Sequence, residues 1–330
     1  MDRHTRLVDR SRVRNVLTME RALPAVEAAF EAYGRDEVQM PPKSYLYFDQ
    51  GDLRCMPCYL PEAGLATVKN VNVHPHNEGL PTVMATVTVF DPDTGFPLAI
   101  MDGTHLTAMR TGAAGGIAAK YCARPDSAVA AFIGAGEQAS TQLEALMLVL
   151  GSLERVLAYD LDEDKAEEFA QKAEQEYGVS ARACGVEKAV REGDVITTVT
   201  PSRQPVVQRE WVRPGTHVNA IGADAPGKQE LESALVRDAW VVIDSWDQAS
   251  HSGEINVPLA EGVIGREDIY ADIGQVVIGQ KAGREGGEQI TVFDSTGLAI
   301  QDAACAAEIY RRVGRGGEAP ESDAEFDFLG

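Results

Sequence analysis

Gly134-Ala135-Gly136-Glu137-Gln138-Ala139 constrains this chain more than any other segment. A continuous apolar run, 128–133, precedes it, and a stretch with helical character, 138–150, follows. A G-x-G-x-x-A turn between a strand buried on both faces and a helix lets the backbone double back sharply. It also leaves the unpaired N–H groups of the helix N-terminus open to a phosphate. The next apolar run, 156–160, ends on Asp160, 24 positions past Gly136. A carboxylate there accepts hydrogen bonds from ribose hydroxyls and repels a 2′-phosphate, so the pattern points to NAD rather than NADP. The rhythm continues through the charged helical stretch 162–177 and the short apolar runs 195–199, 217–221 and 240–243. Strands alternating with helices imply a doubly wound parallel sheet of Rossmann type.

The first third of the chain reads differently. Thr18 is placed to cap a helix with Gly34 at the C′ position just past its end, and strand-like segments follow at 44–48, 66–73, 82–90 and 96–101, the last two forming a hairpin across 91–95. Thr104 is placed to cap a helix through Met109 towards Tyr121. The helical stretch 299–312 comes after the last α/β strand and is expected to pack back on the N-terminal region. The division this predicts is a discontinuous α+β domain of 1–118 plus 300–330 and a dinucleotide domain of 119–299. The Gly- and acid-rich tail after Val313 reads as disordered.

Composition narrows the function. With 51 acids against 30 bases, a net charge of −21, the chain is repelled by phosphate backbones and offers no basic patch to an anionic membrane. The bases are 22 Arg and only 8 Lys, which suits a salt-rich cytoplasm, an acidic protein of a low-salt cell being the alternative. No run of 18 apolar residues is present, and the polar residues 1–14 lack the apolar core of a secretory signal, so a cytoplasmic location is expected. Five Cys, an odd number at low density, argue against a disulfide framework. The lone Cys55-x-x-Cys58 lies in extended chain without further ligands, and His74, His76 and His105 lack metal spacing, so no metal is expected.

A dinucleotide needs a substrate beside it. Lys43, Arg54, Lys69 and Arg110 are isolated bases in apolar or strand-like settings. Lys69 lies within a Val-rich strand, where an inward-facing ammonium is costly unless it meets an anion. Convergent cations suit a small carboxylate, which Arg can hold bidentately. Solvated surface bases are the alternative, strongest for Lys43. Asp224 follows a predicted strand and is placed beyond its carboxyl end, where ligands bind in such sheets.

Taken together, the motifs resemble the ornithine cyclodeaminase/mu-crystallin family over roughly residues 10–312, and within it the archaeal-type NAD-dependent alanine dehydrogenases. The resemblance runs through Lys69-Asn70-Val71-Asn72-Val73-His74-Pro75, Gly79-Leu80-Pro81-Thr82-Val83, residues 104–114, 133–139 and 219–231, Gly253-Glu254-Ile255-Asn256, and Phe293-Asp294-Ser295-Thr296-Gly297-Leu298-Ala299. It implies a homodimer paired through the sheets of its N-terminal domains. It implies Lys69 as the acid/base residue against the substrate and Asp224 as a second catalytic or water-positioning group. Arg54 and Arg110 are implied to hold the carboxylate, with Lys43 nearby. Thr82, Arg110, Thr111, Gly134, Gly136, Glu137, Gln138, Asp160, Thr200, Ile221, Gly222, Ala223, Lys228 and Ser295 are implied to line the NAD site. The implied activity is oxidative deamination of L-alanine to pyruvate and ammonia. Alternatives within the family are cyclisation of ornithine to proline with NAD recycled, ketimine reduction, and a non-catalytic crystallin-like binder. Ornithine cyclodeaminases carry Arg at the Lys43 position and Glu at the Arg54 position. Here both are basic, which argues against diamino-acid cyclisation.

Overall fold

The computed structural model describes residues 4–314 and 324–327. The chain divides into two compact units, Met1–Arg110 with Leu298–Gly330, and Thr111–Gly297. The first division falls inside one long helix, Thr104–Cys122.

The first unit holds β1 (His4–Val8), β2 (Ser44–Phe48), β3 (Gly51–Leu60), β4 (Leu65–Val73), β5 (Val83–Phe90) and β6 (Pro97–Asp102). Its sheet runs Ala324–Asp327, β1, β6, β5, β4, β3, β2. β2 to β6 form an antiparallel meander, and β1 joins β6 in parallel. Burial alternates along the strands: Leu65, Thr67, Lys69 and Val71 of β4 are buried, while Ala66, Val68, Asn70 and Asn72 are half-buried. The period of two thus puts Lys69 on the covered face. The helix Ala299–Gly314 lies on β3, β4 and β5 and against the helix Met19–Gly34, so the chain ends complete one core. Cys55 and Cys58 both lie in β3, three positions apart and therefore on opposite faces, and both are free thiols. Pro57 is tolerated because β2 pairs with β3 only as far as Cys55, which leaves no ladder partner to miss the proline N–H.

Three expectations change. Gly34 is the last helical residue rather than the left-handed one after it, and Asp36 takes the positive φ of 59° instead, which a short polar side chain tolerates. Thr104 does not cap its helix: its hydroxyl accepts the Ala85 N–H of β5, and the Asp102 carboxylate accepts the His105 N–H in its place. Within the tail expected to be disordered, residues 324–327 form a strand antiparallel to β1, and 315–323 and 328–330 lie outside the described residues.

The second unit contains β7 (Val129–Ile133), β8 (Arg155–Tyr159), β9 (Ser180–Ala183), β10 (Val195–Thr198), β11 (His217–Ala220), β12 (Trp240–Ile243), β13 (Ile269–Asp272) and β14 (Thr291–Asp294). The order is β13-β12-β14-β11-β10-β7-β8-β9, with every pairing parallel. Ala131 and Ile133 enter one apolar cluster, while Ala130 and Phe132 enter another on the opposite face, so β7 is buried on both sides. The strand order reverses direction between β7 and β10, the switch point at which such sheets bind ligands. Among the described residues, no helix is long and apolar enough to cross a membrane.

Candidate active site

In the second unit the glycine turn leaves β7 directly. Gly134 has φ +102°, and a Cβ on it would lie 2.9 Å from the Val199 carbonyl oxygen, so glycine is required by conformation and by space. Gly136 is the N-cap of the helix Glu137–Val149 and brings no capping side chain. A Cβ there would meet no atom within 4 Å. The uncapped N–H groups and the open space above Gly136 form a cradle of the kind a pyrophosphate fills. Asp160 stands just past β8: its Oδ2 accepts the Ala135 N–H at 2.9 Å and its Oδ1 the Asp162 N–H at 3.0 Å. The carboxylate therefore ties the glycine turn to the end of the next strand. A cavity of about 340 Å³ opens beside it, with Tyr159, Glu163, Glu167 and Cys184 in its walls.

The remaining candidates of this unit lie past the carboxyl ends of other strands or on helices. Thr200 follows β10, while Ile221, Gly222, Ala223, Asp224 and Lys228 follow β11. Asp224 and Lys228 pair with each other at 2.5 Å. Ser295 follows β14; its hydroxyl oxygen and the Gln138 Oε1 are buried without a hydrogen-bond partner among the described residues. Buried polar atoms in that state ask for a ligand or water. Thr111 is buried, and its carbonyl accepts the Gln142 amide at 2.8 Å, while Glu137 is exposed in the first turn of its helix. Together with the glycine cradle, the Gln138 and Ser295 atoms suit a dinucleotide.

The first unit gathers the bases. Lys69, 1% exposed, places its Nζ 2.8 Å from both Asp302 carboxylate oxygens. Arg110 donates its Nε to Asp302 at 3.1 Å and an Nη to the Gln301 side-chain oxygen at 3.0 Å. Arg54 lies opposite Val71 while Lys69 lies opposite Met56, so the two bases are diagonal neighbours on the buried face. Arg54 is forked onto Asp52 by bonds of 2.9 and 3.1 Å, and Tyr45 stacks beneath its guanidinium. Lys43 is half-buried and acts on Lys69 through its charge. Arg54, Lys69 and Arg110 are thus three buried bases of one unit, a setting that suits an anion. Burial, reinforced by the Arg110 charge and opposed by Asp302, brings the Lys69 ammonium down from its usual 10.5 to about 7.

The anion that Lys69 required is thus supplied first from within the chain, by Asp302. Sequence reasoning missed it: the one available signal was an acid at the start of an otherwise Ala-rich helix, Ala299–Gly314. Thr82 stays apart from this group, exposed in the turn before β5, its carbonyl accepting the His74 N–H. A cavity of about 600 Å³ along the Met19–Gly34 and Ala299–Gly314 helices includes none of the candidates.

The profile of the ornithine cyclodeaminase/mu-crystallin family matches residues 3–317. An alanine dehydrogenase of Archaeoglobus fulgidus is 53% identical over 311 residues, 94% of this chain and 95% of that protein. A Δ1-pyrroline-2-carboxylate reductase of Bacillus cereus is 36% identical over 307 residues, covering 91% and 94%. Among solved structures, an archaeal alanine dehydrogenase dimer with bound NAD, 52% identical, superposes with a TM-score of 0.91 over 94% of this chain and 96% of that one. Over nearly its whole length, then, the chain belongs to the ornithine cyclodeaminase/mu-crystallin family.

Proposed function

We propose that this protein is an NAD-dependent alanine dehydrogenase that converts L-alanine to pyruvate and ammonia, and the reverse. The observation that carries the reading is the Lys69–Asp302–Arg110 cluster, a buried cationic site with one base near neutrality, in a chain that also bears the glycine cradle. The extensive similarity to the alanine dehydrogenases supports it.

NAD supplies the hydride acceptor; the chain's residues do the rest. Arg54 and Arg110, with Lys43, hold the substrate carboxylate and fix the Cα. The substrate ammonium must lose a proton before hydride leaves Cα. Lys69 in its neutral form takes that proton at Nζ, and Asp302 holds the side chain in place and steadies the ammonium that results. Water then converts the imine to pyruvate and ammonia. Asp224, paired with Lys228, serves as the second proton-handling or water-positioning group. Gly134, Gly136, Glu137, Gln138, Asp160, Thr200, Ile221, Gly222, Ala223, Lys228 and Ser295, with Thr82, Arg110 and Thr111, are assigned to the cofactor.

We assign the homodimer contact to the first unit's sheet. Helix Ala299–Gly314 lies on the Lys69 side, and the other face keeps Val68, Met84, Leu98 and Ile100 only half-buried. The related archaeal enzyme is a dimer. We place the protein in the cytoplasm, where NAD is abundant and its free cysteines stay reduced.

The test is a panel of amino acids, 2-oxo acids with ammonia, and Δ1-pyrroline-2-carboxylate, followed by NADH absorbance beside ammonia release and a solution mass measurement. Net NADH with alanine supports the reading. Faster turnover of the cyclic imine than of pyruvate with ammonia replaces it with ketimine reduction. Ammonia from ornithine without net NADH replaces it with cyclisation.

A further inference from the structure

We propose that Glu230 is a positioning residue of the cofactor site: it fixes the two backbone loops that leave β10 and β11, and so sets the surface on which NAD rests. The inference rests on the NAD reading above. Glu230 is fully buried. Its Oε1 accepts the Thr200 N–H at 2.6 Å, and its Oε2 accepts the Gly222 N–H at 2.8 Å and the Thr198 hydroxyl at 2.7 Å. β10 and β11 are adjacent and parallel. Their loops therefore open side by side at the edge where such sheets take ligands, and one carboxylate grips both. A Cβ on Gly222 would lie 2.1 Å from the Thr200 carbonyl oxygen and 2.6 Å from Glu230 Oε1, so only glycine lets the second loop close on the acid.

The grip is itself held by further acids. The Glu254 carboxylate accepts the backbone N–H groups of Glu230 and Leu231, and the Asp294 carboxylate accepts that of Ile255 beside Glu254. Asp244 accepts those of Thr296 and Gly297, just past Asp294 and Ser295. All four acids are fully buried. Buried carboxylates are a costly way to stabilise a core. At Glu230 the value is geometric: a carboxylate with two accepting oxygens can bind donors from two loops, which an amide of the same shape cannot. Burial raises the Glu230 carboxyl, and the loop N–H groups oppose that rise, as expected of an anion held by the peptides it organises.

A comparison of two variants with the wild type tests the assignment. Asp194 is also a carboxylate clamp, its Oδ2 accepting the Ala128 and Val129 N–H groups at 3.0 and 3.1 Å and its Oδ1 the guanidiniums of Arg124 and Arg213, but it acts where β7 and β10 begin, at the opposite end of the strands. Glu230→Gln and Asp194→Asn should both lower the melting temperature. Only Glu230→Gln should raise KM for NAD and Kd for NADH, by roughly tenfold or more, the effect of losing a hydrogen bond to a charged acceptor. Its kcat at saturating NAD should stay within a few-fold of wild type. Gly222→Ala, which displaces the loop while leaving the acid, should raise KM for NAD in the same way and stands in if Glu230→Gln fails to fold. Unchanged NADH affinity in whichever of these variants folds, or an equal loss in Asp194→Asn, makes Glu230 a structural clamp only and overturns the proposal. If the wild type itself fails to quench on NADH titration, the cofactor reading falls, and this inference falls with it.

Discussion

Lys69 owes its chemistry to its surroundings: an ammonium at 1% exposure, bonded to Asp302, with Arg110 on the same carboxylate. A guanidinium in that place keeps the charge but cannot release a proton in the working range. Lys69→Arg should therefore lose kcat by roughly a hundredfold or more while NADH affinity survives. Near-normal kcat at saturating substrate would make Lys69 a carboxylate anchor and pass the proton role to Asp224. Since Lys69 must be neutral to accept a proton, kcat/KM for alanine oxidation should rise with pH through about 7 and then level. Asp302→Asn removes the group that favours the ammonium form, so the midpoint should move to lower pH; a midpoint that stays put assigns the profile to another group. Asp160 has a double task, since the carboxylate expected to hold the ribose also holds the Ala135 and Asp162 N–H groups. Asp160→Ser should relax the preference for NAD over NADP and weaken NAD as well. Equal use of both cofactors by the wild type would sink this assignment.

At the scale of elements, the carboxyl ends of the parallel strands concentrate buried acid. Burial, aided by the charge of Asp244, pushes Asp294 from 3.8 up to about 8. A folded-state value above the unfolded one means that the folded state holds a proton the unfolded chain has released. The stability from Asp294 is full below about 4 and is lost progressively as pH rises through about 8. Asp294→Asn stays neutral throughout, so the fall in melting temperature between those limits should be shallower than in the wild type. Parallel slopes would show that Asp294 does not carry this linkage. These acids also mark where sequence reading stops. The strands 156–160 and 240–243 and the glycine turn were legible because unbroken apolar runs and a turn of fixed spacing are local signals. Glu230, Glu254 and Asp302 look like any surface acid in sequence, because what buries each is a partner far along the chain: 233 residues separate Lys69 from Asp302. β14 was missed for a similar reason, since four residues, Thr291–Asp294, inserted between β11 and β12 show no periodicity of their own.

For the whole molecule the governing quantity is charge. A net of −21 repels itself in dilute buffer, and salt screens that repulsion. The melting temperature should climb from low to molar KCl, and a flat or falling series would remove the case for salt adaptation. The division of the first unit between the two chain ends carries a different consequence, one of timing. Residues 298–330 leave the ribosome after every strand they pack against, yet they bring Asp302 and the helix that covers β3, β4 and β5. Until they emerge, a nascent chain holds Lys69 on an uncovered sheet without its counter-charge, while the contiguous segment 111–297 already carries everything its own sheet needs. Synthesis from the N-terminus therefore favours completion of the nucleotide-binding half before the half that was translated first.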